Sequence, residues 1–302
     1  MPRRRSGFTL TEMLVVFAII VVLIGLTLPA VQKFRATADN LVTVDHMRQI
    51  GLATVNYAQK SRSKKLPSAL EFSGFTDANG RQVHHTMFVT LLPFLQQTNI
   101  YNEATTQANY NPVLSSTTWA RRVVPVYLSP EDSSTVEGIS NRGLAVVNFG
   151  ANAQLFMDFS LAPNFDQDVM VKGARKLSEI RDGQSNTIML STRYGNCGNG
   201  GSMWAAPEVR AVYYDLAQNM TSAVTYGPFF GHIYPPQPPG LTFQLAPEVG
   251  NCNPDLPQAF LRSAIVVCMA DASVKRVSKN VDASLWENVL LPANGKPTNL
   301  DW

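Results

Sequence analysis

Hydrophobic and polar positions divide the chain into two regimes. From Met13 to Val31 there is no charged residue. As a helix, about 20 residues rise about 30 Å, enough to cross most of a bilayer. Beyond Gln32 the pattern becomes periodic. Leu41, Val44, Met47, Gly51, Val55 and Ala58 recur at three- and four-residue steps, with Asp45, Arg48 and Gln49 between them. That spacing predicts an amphipathic helix laying one face on a globular body. Residues 8–59 together predict one helix of about 78 Å, with its transmembrane segment at about 8–31. Pro29 lies inside it and crowds the carbonyl of Gly25, predicting a kink or local melting. Two separate helices broken at Pro29 are the alternative. The polar, basic run Lys60–Pro67 ends the helix.

After Pro67 the pattern shortens. Met87–Leu95, interrupted by Pro93, predicts a short helix. Strands are predicted at Val123–Leu128, where Pro125 points to an edge position, and at Leu144–Phe149, Thr187–Ser191, Val209–Tyr214 and Ala264–Met269. Val274–Val277 alternates like a strand leaving a turn at Asp271-Ala272-Ser273. Gly, Pro and Asn clusters separate these segments, and Tyr234–Gly240 reads as a stiff extended connector. The fold class predicted is α+β, a long N-terminal helix packed on a mostly antiparallel β domain at 60–302.

Charge changes this picture only at the start. Lys and Arg number 25 against 22 Asp and Glu. Three of the cations are Arg3, Arg4 and Arg5, so the chain beyond residue 7 is formally neutral, and no nucleic acid is expected as a partner. Lys60–Lys65 reads as a solvated, turn-forming run rather than a lipid or nucleic-acid patch. Arginines preceding the apolar run place the N-terminus in the cytoplasm and the domain outside. A cleavable secretory signal fits poorly, because Ala36-Thr37-Ala38 comes only after Lys33 and Arg35.

Three cysteines allow at most one intramolecular bridge. Cys197 and Cys252 lie among Gly, Asn and Pro, whereas Cys268 sits in the apolar run Ala264–Met269 and reads as a buried, inert thiol. Outside the cytoplasm a Cys197–Cys252 bridge is the expected pairing. It would close a loop of about 55 residues, worth about 4 kcal/mol on the chain-entropy model. Three free thiols are the alternative.

Little catalytic chemistry emerges. His84 and His85 are adjacent, so on a strand they point to opposite faces and do not share a metal; His46 and His232 are isolated. The nucleophile elbow and the phosphate-binding Gly/Lys loop are both absent. Asn196–Gly201 is glycine-rich but lacks a lysine. Asp182–Thr187 reads as an Asx-stabilised turn in preference to a Ca²⁺ loop. Trp119, Trp204, Trp286 and Trp302 are dispersed, as core or rim residues are. No catalytic residue, metal or cofactor is expected.

The N-terminus is more specific. Arg3-Arg4-Arg5-Ser6-Gly7-Phe8-Thr9-Leu10-Thr11-Glu12, followed by the apolar helix, resembles the type IV prepilin signature, also found in type II secretion pseudopilins. The basic leader at 1–7, Gly7 before the cut, Phe8 after it and Glu12 at the fifth mature position all match. Pro29 falls where many pilins carry a helix-breaking proline; Thr11 stands where the family usually has an aliphatic residue. The resemblance implies cleavage between Gly7 and Phe8 by prepilin peptidase and methylation of the new Phe8 amine. A carboxylate at the mouth of a membrane helix needs a partner. In a stack of staggered helices the Phe8 amine of one subunit can meet Glu12 of the next.

The remainder has a second resemblance. Met47–Ala53, Leu91–Asn102, Leu177–Ile188 and Val267–Val277 look like successive blocks of the domain-of-unknown-function 1559 family, whose members join a prepilin-type N-terminus to a large extracytoplasmic domain. The late block usually reads Asp-Gly-Ser-Val after an upstream His; here Ala272 replaces the Gly, and Phe260-Leu261-Arg262 stands where the His would be. Together the resemblances imply a non-enzymatic, single-pass cytoplasmic-membrane protein with a pilin-like fold. It would assemble with other pilin-like subunits into a type IV pilus or a type II secretion-like filament. A monomeric membrane-anchored binding protein is the rival, and a hydrolase or carbohydrate binder on a pilin-type anchor is a further one.

Overall fold

A computed structural model of the chain describes residues 9–76, 82–106, 119–157, 174–205, 228–230 and 242–296. Its first element is helix α1, Leu10–Lys60, 51 residues long, about 77 Å at 1.5 Å per residue. α1 is helical throughout and does not melt at Pro29. The ring deletes one backbone bond, and long helical flanks on both sides hold the turn cooperatively. Nearby, the Thr27 hydroxyl donates to the carbonyls of Leu23 (2.9 Å) and Ile24 (3.3 Å). The alternative of two separate helices is thereby corrected.

Two antiparallel strands follow, β1 Leu70–Thr76 and β2 Gln82–Thr86. They lead into α2 Met87–Leu91, a 3-10 turn at Leu92–Leu95, and α3 Thr98–Thr105. The main sheet contains β3 Phe149–Asn152, β4 Ile188–Thr192, β7 Phe229–Phe230, β10 Ala264–Met269 and β11 Val274–Ser278, in the order β11-β10-β4-β3-β7. Only β3 and β7 run parallel within it; the other neighbours are antiparallel. Short pairs lie beside the sheet: β5 Asn196–Cys197 with β6 Gly200–Gly201, and β8 Gln244–Leu245 with β9 Gln258–Ala259. The last described helix is Ala283–Leu290, capped by the Asp282 carboxylate, which accepts from the N–H groups of Ser284 and Leu285.

Alternation along β10 explains the layering, because successive side chains leave opposite faces of a strand. Val266 and Cys268 join the large core beneath α1, whereas Ile265, Val267 and Met269 join a second cluster with Trp286, Val289 and Leu290 of the last helix. The sheet is therefore buried on both faces, and a strand buried on both faces reads as the unbroken apolar run that Ala264–Met269 is.

Three sequence expectations are corrected. Val123–Leu128 is not a strand. Pro125 opens a 3-10 turn, Pro125–Tyr127, and the segment is tied by the Tyr127 carbonyl, which accepts from the Asn148 N–H at 2.7 Å. Leu144–Phe149 contributes isolated bridges at Ala145 and Val146 before β3 begins at Phe149. Leu41, predicted on the buried face of α1, is 62% exposed. The face turned to the domain carries Asn40, Thr43, Met47, Ile50, Thr54 and Ala58, and its polar members are hidden from a hydrophobic count. Val209–Tyr214 and Tyr234–Gly240 lie outside the described residues.

Candidate functional site

The candidate site is α1 itself, in two halves with different surroundings. At its start Thr9 is the N-cap. Its N–H and hydroxyl both donate to Glu12 Oε2 at 2.8 Å, and the Glu12 N–H donates back to the Thr9 hydroxyl at 3.3 Å. This reciprocal box satisfies orphan N–H groups of the first turn. It also occupies the carboxylate within its own helix. From Leu10 to Phe34 every large apolar side chain is exposed. α1 is thus long and apolar enough to cross a membrane, and its first half has no packing partner among the described residues. Gly7 and Phe8 lie outside the described residues.

The second half is seated on the domain through polar contacts. Asn40 is buried and donates from Nδ2 to both carboxylate oxygens of Glu131, at 3.1 and 3.2 Å, while its Oδ1 accepts from Arg276 on β11. One turn on, the hydroxyls of Thr43 and Ser129 meet at 2.7 Å, and His46 Nδ1 lies 2.7 Å from the Leu128 carbonyl oxygen. Further along, Gly51 crosses the β10–β11 turn so closely that a Cβ there would stand 2.6 Å from Cys268 Sγ and 3.3 Å from Ala272 Cβ. Ala272 holds the left-handed conformation, φ 66°, that glycine adopts at no steric cost. At the end of the helix the Tyr57 hydroxyl donates to Glu71 Oε1 at 3.0 Å, and Glu71 also accepts from the Ser68 N–H at 3.1 Å. Burial raises the Glu71 carboxyl above its usual range, against the opposing pull of those two donors.

Other residues singled out in the sequence have structural surroundings. Cys197 and Cys252 form a disulfide with Cα atoms 5.0 Å apart, joining β5 to the loop after Val249–Asn251. Cys268 is a buried free thiol, and burial raises its pKa. The Asp182 carboxylate accepts from the backbone N–H groups of Asn294 (2.6 Å) and Gly295 (3.0 Å), so the Asp182–Thr187 loop clamps the C-terminal segment. Trp119, Trp204 and Trp286 are buried. His85 is buried with Nε2 at 3.1 Å from the Thr90 hydroxyl. His232 and Trp302 are outside the described residues. Among the described residues no His, Cys, Asp or Glu cluster is arranged to hold a metal.

One buried group went unnoticed in the sequence. Arg193, between β4 and β5, is fully buried and donates to the carbonyl oxygens of Phe229 and Pro254. Burial pulls its pKa down to about 10, opposed by the nearby Asp255 carboxylate. A lone arginine at the end of an apolar strand gives no signal of such a role.

Residues 32–284 match the family model described as a protein of unknown function, DUF1559. The chain belongs to the DUF1559 family. Residues 2–28 match a second model, the prokaryotic N-terminal methylation motif, so this DUF1559 protein carries the N-terminal signal of pilin-type subunits. No curated protein and no solved structure matches the chain. The two matches meet within α1, the methylation motif covering its exposed apolar half and the DUF1559 match its docked half.

Proposed function

We propose that this DUF1559 protein is a non-enzymatic pilin- or pseudopilin-like subunit. Prepilin peptidase cuts it between Gly7 and Phe8, the Phe8 amine is methylated, and the subunit assembles through α1 into a type IV pilus or type II secretion-like filament. The domain stands outside the cytoplasmic membrane. The observation that carries this reading is the position of Glu12, a carboxylate in the first turn of a helix whose apolar side chains are all exposed as far as Phe34. A charge in the bilayer costs about 2.5–3.5 kcal/mol even on the lenient scale. The box with Thr9 offers hydrogen bonds but no countercharge. Cleavage creates a cationic amine four residues upstream, and on a neighbouring, axially shifted helix that amine can pair with Glu12.

The test is Glu12→Ala in the native cell. Membrane-fraction levels should match the wild type, while cross-linking to other pilin-like subunits through α1 should disappear. Unchanged cross-linking would remove the assembly reading. Mass spectrometry of the N-terminus tests processing separately: a methylated Phe8 is expected, and an intact Met1 would count against it.

A further inference from the structure

The far end of α1 carries a concentration of positive charge that neither membrane anchoring nor helix assembly uses. Lys60, Arg62 and Lys64 are exposed around the helix terminus, and Lys65 follows them. The fold then adds a cation from a distant part of the sequence. Lys65 pairs with Lys176 as an antiparallel bridge, held by the Leu66 N–H donating to the Arg175 carbonyl at 2.9 Å. Directly opposed residues on one face of such a pair have neighbouring side chains, and like charges there are destabilising. Among the described residues none of these five cations is in an ion pair. Two described carboxylates in the neighbouring segments are engaged elsewhere: Glu179 accepts from the Lys176 backbone N–H at 3.0 Å, and Glu71 is bonded to Tyr57 and Ser68. Beyond residue 7 the chain is formally neutral, and among the described residues the patch is a local excess of positive charge.

We propose that this patch is a docking surface for an acidic polysaccharide outside the membrane, with the Lys65–Lys176 pair at its centre. The anchoring bilayer is too far away to be the partner. Lys60 lies 27 residues beyond Lys33, about 40 Å along the helix, whereas charge is screened within about 8 Å at physiological salt. The chemistry of the patch selects among soluble polyanions. It is mostly lysine, a compact point charge that neutralises spaced anionic groups without demanding the planar geometry of an arginine fork. Among the described residues its aromatic neighbour is already covered: the Phe94 ring lies under Lys60 Nζ at 5.4 Å and against Tyr57 edge-on at 5.7 Å. Binding to single-stranded nucleic acid relies on such stacking platforms. Regularly spaced carboxylates or sulfates on a sugar chain need only the cations.

The test uses the full-length protein in phosphatidylcholine nanodiscs, titrated with polygalacturonate and followed calorimetrically. Saturable binding is expected, weakening about tenfold between 50 and 200 mM NaCl as the polyanion's counterions compete. Lys65→Gln/Lys176→Gln should weaken it about tenfold without lowering the unfolding temperature, since the substitution removes an opposed like-charge pair. Lys279→Gln/Lys296→Gln, an equal charge change elsewhere, should stay within about twofold, as a surface pair away from the patch should. The proposal is overturned by no saturable binding at 50 mM NaCl, by an equal loss in the control pair, or by tighter binding of oligothymidylate of matched charge. Each readout is independent of Glu12 and of filament assembly.

Discussion

At Gly51, α1 packs tightly over the turn between β10 and β11. Adding a Cβ there pushes into Cys268 Sγ and the Ala272 methyl, so Gly51→Ala is expected to lower unfolding stability by about 1–3 kcal/mol, the usual range for overpacking. Gly51→Ala with Cys268→Ala should recover part of that loss, because the closest clash is with the sulfur; a double-mutant cycle in urea measures the coupling. Ala272 sits in a conformation where glycine is the relaxed residue, and its methyl nonetheless packs beneath the helix. The two effects oppose each other at this position. Glu71 supplies a pH signature at the same scale. Its folded pKa is raised, so the folded state keeps a proton that the unfolded chain releases. The resulting stability is complete below the ordinary carboxylate pKa and is lost as pH rises through the folded value. Glu71→Gln should flatten this slope, its advantage over the wild type growing from about pH 4 upward, as urea midpoints at a series of pH values will read.

At the scale of elements, α1 is held to the domain by hydrogen bonds as well as by packing. Asn40→Asp keeps the shape but replaces two N–H donors to Glu131 with a second carboxylate. It should cost about 1–3 kcal/mol and speed amide exchange around residues 40–47, and adding Glu131→Gln should restore both. This mode of docking also explains what the sequence could and could not disclose. The membrane half of α1 was legible because its apolar run is uninterrupted, and β10 and β11 because Ala264–Met269 is buried on two faces and Val274–Val277 is not. The docked face was misread at Leu41, since Asn40 and Thr43 face inward and satisfy their polarity with Glu131 and Ser129, residues some 90 positions away. Val123–Leu128 has the composition of a strand, yet its Tyr127 and Leu128 N–H groups close a 3-10 turn on Val124 and Pro125, and its Tyr127 hydroxyl donates to the Phe88 carbonyl. The prepilin motif is local and was fully readable. The basic patch was half readable, because Lys176 joins Lys65 only through tertiary pairing.

For the whole molecule, the Cys197–Cys252 bridge spans 55 residues and ties the loop after Val249–Asn251 to β5 beside the main sheet. Cys197→Ala/Cys252→Ala is expected to lose about 2–4 kcal/mol of stability, seen as a lower thermal midpoint, with α1 still inserted in the membrane fraction. The continuity of α1 through Pro29 has a consequence at the same scale. Between the apolar half and the first docked residue, Asn40, the helix runs as a bare shaft; residues 32–38 are exposed. A continuous helix transmits azimuth as well as height. One residue inserted in that shaft turns the domain by about 100° around the helix axis and shifts it by about 1.5 Å along that axis, whereas seven residues shift it by about 10 Å and restore its heading to within about 20°. The direction the domain faces is therefore encoded in the number of residues in the shaft, and not in their identity.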